Sequence, residues 1–193
     1  MEINYVDPNT AAENAGNVLP SREKFDYIRD ELLHVKGFKK VYFNKQFKRL
    51  GGYLMNGDTQ PAGIVSLSPL IISAYSDEMD GVLFLKFPDA LADMYGLSVG
   101  TRLVTSNIYI PGNKPVKDVY AGPYYMGNYC DFTPTVQLFM CDGEDSIRNR
   151  TALFGEDVWK RVEEMSFSRF SQKHKTRDGF QLMTKFRLLL LIF

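Results

Sequence analysis

Residues 64–87 read IVSLSPLIISAYSDEMDGVLFLKF, and three short apolar runs within them decide the fold. Residues 64–67, 70–75 and 82–87 are each too short for a buried helix. Turn chemistry separates them, Ser68-Pro69 after the first and Asp77-Glu78-Met79-Asp80-Gly81 after the second. Because successive side chains in these runs are apolar, the spacing predicts central strands covered on both faces. The second turn gathers three carboxylates, Asp77, Glu78 and Asp80, at the mouth of a hairpin.

Upstream, Ser21 stands where an N-cap belongs and Glu23 falls in the first turn. Phe25, Ile28, Leu32 and Val35 then recur at three- and four-residue spacing until Gly37, which predicts an amphipathic helix. Its solvated face is expected to carry Lys24, Asp26, Arg29, Asp30 and Glu31. From Lys39 the period reads as two. Val41 and Phe43 alternate with Tyr42 and Asn44, Tyr53 and Met55 follow, and Asn56-Gly57 is a hairpin dipeptide, so antiparallel strands are expected here. The first 20 residues, rich in Asn, Ala and Pro, are read as a surface arm, leaving residues 21–193 as one domain.

Downstream, Pro88 introduces a short helix over residues 89–95 that Gly96 ends, and residues 102–110 read as a strand. Residues 135–141 read as another. Val158, Trp159, Val162 and Met165 place a second main helix at residues 156–165, with Trp159 in the core. Between residues 113 and 134 the pattern gives way to Gly, Pro and Tyr, a loop whose rings have to pack on something. The apolar 188–193, LLLLIF, is expected to form a buried strand, or an edge strand pairing across a homodimer. Together these readings predict an α+β fold: a mainly antiparallel sheet of about six or seven strands. The helices starting at Ser21 and Glu156 are expected on one face, with the Tyr-rich loop over an edge or the other face.

Composition excludes several classes. The 193 residues hold 23 basic and 23 acidic side chains, 45% hydrophobic content, 14 Phe and 11 Tyr, which is not the make-up of a disordered chain. The longest apolar run is far short of the roughly 20 residues a membrane span requires, and the N-terminal stretch lacks a basic and apolar leader. A cytoplasmic protein of small bacterial or phage character, not membrane-bound, is therefore expected. Cys130 and Cys141 form no CxxC pair, which argues against a disulfide scaffold and a zinc site.

The chain contains neither GxxxxGK[ST], GxGxxG nor GxSxG. His34 falls at the end of the first helix, where a cation complements the dipole, and His174 in the basic run 172–175. The Asp77, Glu78, Asp80 and Asp142, Glu144, Asp145 groups lack the EF-hand spacing and read as a turn and a helix start. No cofactor and no metal are expected. Residues 36–49 carry Lys36, Lys39, Lys40, Lys45, Lys48 and Arg49 without an acid, interleaved with Phe38, Tyr42, Phe43 and Phe47. That pairing of cation and ring suits a single-strand nucleic-acid groove, yet a pI near 6.7 lacks the field such a binder uses.

The functional expectation is a non-enzymatic interaction module, an immunity-type inhibitor or assembly component. It would bind a protein partner through Asp77, Glu78 and Asp80, through Tyr120, Tyr124, Tyr125 and Tyr129, or through both. The alternatives are a hydrolase-like enzyme built from scattered carboxylates and His34, and nucleic-acid binding through residues 36–49.

Overall fold

The structure is a computed structural model and describes residues 16–184. In chain order its elements are α1 (Arg22–Tyr27), α2 (Lys39–Asn56), β1 (Asp58–Leu67), β2 (Leu70–Ser76), β3 (Gly81–Phe87), α3 (Ala90–Met94) and β4 (Arg102–Pro111). There follow β5 (Tyr120–Ala121), β6 (Tyr129–Val136), α4 (Gln137–Met140), α5 (Glu144–Asn149), α6 (Glu156–Phe170), β7 (Thr176–Asp178) and α7 (Gln181–Thr184). The fold is α+β, with strand order β5-β3-β2-β1-β4-β6 and β7 added beside β3. Every pairing is antiparallel except β3 with β7. No helix among the described residues is long and apolar enough to cross a membrane.

The three runs of residues 64–87 form the middle of this sheet, and both of its faces are covered. On one face the register aligns Ile64 with Ile72 and Leu85, and Ala62 with Ala74 and Leu103. These join Tyr109, Phe132 and Val136 in the main core. On the other, Val65, Ile71, Tyr75, Val82 and Phe84 meet Val162 of α6. The sheet curls until its edges approach. Val116 N–H donates to Cys130 O of β6 at 2.9 Å, and four residues later Tyr120 pairs with Val82 of β3. Arg177, on β7, reaches across the remaining gap to donate to Phe132 O of β6 at 3.0 Å, held by Asp118 at 2.7 Å and Asp131 at 2.8 Å. The result is a barrel-like sheet whose inner face is the main core.

Five expectations need correction. Residues 39–56 are one helix, not strands, because Phe43, Leu50 and Leu54 bury one stripe at helical spacing while the two-residue alternation spans only four positions. Gly57 is no hairpin residue: it is extended, its N–H closes the last turn on Tyr53 O at 2.8 Å, and a Cβ there would stand 2.5 Å from that carbonyl. Residues 137–140 are a helical turn rather than strand, the strand having begun earlier at Tyr129.

The helices do not share a face either. α6 covers the outer face of β1–β3, α2 lies over β4, and the Ser21-capped α1 packs on α2 and α4. Phe25 meets Phe47 edge-on at 5.1 Å, and Arg29, expected in solvent, is buried against Asp26, Asp30 and Asn44. Trp159 is buried, its ring 5.9 Å from Phe154 and its Nε1 donating to Thr151 O at 3.2 Å. Most of the N-terminal arm, and the 188–193 strand with its homodimer pairing, lie outside the described residues.

Candidate functional site

One end of the barrel brings together the two segments singled out in the sequence. The turn after β2 is closed by Asp80 N–H donating to Asp77 O at 2.9 Å, with Asp80 at φ 42°, a left-handed conformation that Asp tolerates better than most residues. Asp80 is 3% exposed, so it is no part of an acidic surface. Burying that charge demands partners. Arg161 of α6 supplies an ion pair, its Nε 3.1 Å from Oδ1, and Tyr124 N–H donates to Oδ2 at 2.9 Å. The Arg161 guanidinium lies 4.8 Å from the centroid of the Tyr124 ring. Gly122 permits the close approach, since a Cβ there would stand 2.4 Å from Asp80 Oδ2. One buried carboxylate thus fastens the acidic turn, the Tyr-rich loop and α6 to one another.

That arrangement sorts the seven predicted residues. Tyr124 is 70% exposed and Asp77 stands in solvent, its Oδ1 accepting from Glu78 N–H at 2.7 Å. Glu78 is half-buried. Tyr129 is buried, its ring 4.9 Å from Tyr109, and the Tyr125 hydroxyl donates to Tyr129 O at 2.6 Å. Tyr120 packs 5.9 Å from Phe84 and accepts from Lys175 N–H at 2.9 Å. Three of the four rings therefore hold the loop down, and Tyr124 is the one displayed. Met126, 72% exposed, stands beside it in sequence. Sequence reasoning missed Met126 and Arg161, the latter because it flanks the apolar stripe of α6 and its partner lies 81 residues away.

Beneath the turn lies a buried polar network that periodicity had hidden in a supposed hairpin. Asp58 and Gln60 open β1 on the inner face, and Asp58 is 5% exposed. Its Oδ2 accepts from Gln60 Nε2 at 2.7 Å and from the Tyr109 hydroxyl at 3.0 Å. Ser76 Oγ donates to that hydroxyl at 3.3 Å and accepts from Met79 N–H at 3.1 Å, which ties the network to the turn. Burial first, and then the charges of Asp77 and Glu78, push the Asp58 carboxyl up to about 7, although Gln60 and Tyr109 pull it down.

Elsewhere the reactive side chains stand apart. His34 is exposed at φ 48° after the first helix, and the His174 ring packs between Phe84 and Phe170 at 5.0 and 4.6 Å. Cys141 is buried, which pushes its thiol up to about 12 and keeps it protonated. A cleft of about 300 Å³ between α2, α7 and β6 contains the carboxylate pair Asp118 and Asp131, but both clasp Arg177. No group of three or more His, Cys, Asp or Glu placed to hold a metal ion occurs among the described residues. Within residues 36–49, Phe38 just before α2 and Val41 on it are exposed to solvent, while Phe43 is buried. Compared with family models, curated proteins and solved structures, the chain matches none.

Proposed function

We propose that the protein is a non-enzymatic binding protein that docks a protein partner on the barrel end displaying Asp77, Tyr124, Met126 and Arg161. One observation carries this reading: Tyr124 is 70% exposed yet fixed, its backbone by the buried Asp80 and its ring by the Arg161 guanidinium. A ring already held in place loses little freedom on binding, and Tyr and Arg are the residue types on which interface energy concentrates. Met126 adds an adaptable apolar contact. Asp77 at the rim suits a partner whose apolar pocket is bordered by a cation, which speeds encounter. An inhibitor that occludes an enzyme and a component of a larger assembly would both dock in this way. Hydrolase chemistry draws less support, since among the described residues neither histidine hydrogen-bonds a serine, cysteine or carboxylate.

A photo-crosslinking amino acid placed at Met126, and separately at Lys48 on α2, tests the reading in cells that produce the protein. The expected result is a single discrete protein adduct from position 126 and none from position 48. No adduct at 126, or the same adducts from both positions, would overturn it.

A further inference from the structure

A second cavity, of about 480 Å³, lies between α1, α3 and the approach to α5. Leu91 and Phe139 belong to the core and form its floor, while Tyr27, Tyr95 and Met94 line it above them. Met94 is 47% exposed, so this apolar surface opens to water rather than closing on itself. The remaining wall is charged unevenly. Glu23, Asp142 and Glu144 line the cavity against one cation, Lys24.

Lys24 shows how a cation sits here. Its Nζ donates to Leu138 O at 2.9 Å, lies 3.1 Å from Glu144 Oε1 and stands 5.3 Å from the centre of the Tyr95 ring. Carbonyl, carboxylate and ring face act together on one ammonium. Glu144 is thereby committed, whereas Glu23 and Asp142 have no ion pair or side-chain hydrogen bond among the described residues. They stand on different elements, Glu23 on α1 and Asp142 just before α5, and both line the same cavity as the apolar side chains. One small amine answers one of these carboxylates, while a chain bearing spaced basic side chains answers both.

We infer that this groove is a second docking site, separate from the Tyr124 surface, which takes a polypeptide segment with apolar side chains flanked by lysine or arginine. The apolar residues cover Leu91, Met94 and Phe139, and the basic ones pair with Glu23 and Asp142 at the rim. Because those pairs are exposed, the charge contribution falls as salt rises, while the apolar contribution persists.

The test uses the full chain and three probes: a labelled short peptide alternating Lys and Leu, its Glu and Leu counterpart, and hexylamine. The Lys-Leu peptide is expected to bind saturably and the Glu-Leu peptide not to bind. Glu23→Gln with Asp142→Asn should weaken the Lys-Leu peptide about tenfold, and Met94→Lys should do at least as much, with melting temperatures unchanged. Tyr124→Ala should leave this binding intact, so its failure and that of the partner surface remain distinguishable. Equal binding of both peptides, retention by the charge-neutralised variant, loss caused only by Tyr124→Ala, or binding of hexylamine without the peptide would each overturn the inference.

Discussion

Two buried carboxylates at one end of the barrel are held differently. Asp80 is clasped by Arg161, and replacing it by Asn keeps the shape while removing the ion pair beside the Tyr124 loop. Asp80→Asn should cost about 2 kcal/mol, since Arg161 is partly solvated and loses only part of its compensation. Thermal melts and amide exchange over residues 122–126 measure it, and an unchanged loop would contradict the anchoring role. Asp58 instead holds its proton to about pH 7. Below about pH 4 it is protonated folded and unfolded alike; between there and 7 only the folded chain keeps the proton. Its contribution to stability is therefore full at low pH and is lost as pH rises through 7, on the order of 4 kcal/mol in all. Denaturant titrations from about pH 5 to pH 8 should show wild-type stability falling relative to Asp58→Asn. Parallel pH profiles for the two would exclude this titration.

Elements were legible where a pattern ran long enough to exclude the other period. Ser21 does cap α1, its Oγ accepting from Lys24 N–H, and Gly96 ends α3 at φ 59°. The apolar runs around Ser68-Pro69 became β1 and β2. α2 was misread because aromatic and β-branched residues at its start carry strand propensity, while the burial that decides its period comes from Leu50 and Leu54 two turns later. The site was half legible. Turn and loop were found from composition, but which of their side chains face out depends on Arg161, which no local pattern joins to Asp80. α6 also shows what an element contributes beyond its own helix, because Trp159 ties it to Thr151 and Phe154. Trp159→Ala should cost about 3 to 5 kcal/mol. Wild-type stability with that substitution would mean the indole is not a packing residue.

At the scale of the molecule, closure of the sheet depends on Arg177, whose buried guanidinium joins β7 to Asp118, Asp131 and the β6 backbone. Arg177→Ala removes the buried guanidinium that both carboxylates clasp and should cost about 3 to 5 kcal/mol. Arg177→Lys recovers little, because an ammonium cannot fork between both carboxylates and Phe132 O. Exchange should rise first in residues 116–121, the segment that spans the gap; uniform exchange would contradict a local closure. Closure of this kind fixes the strands that carry the Tyr124 loop, which is what the proposed docking of a partner there requires. The most direct measurement of that claim is the affinity of the crosslinked partner, once purified, for wild type and Tyr124→Ala by calorimetry, alongside thermal melts of both. A loss of roughly 2 kcal/mol or more in binding, with melting unchanged, is the expected result. Undiminished affinity for Tyr124→Ala would contradict it.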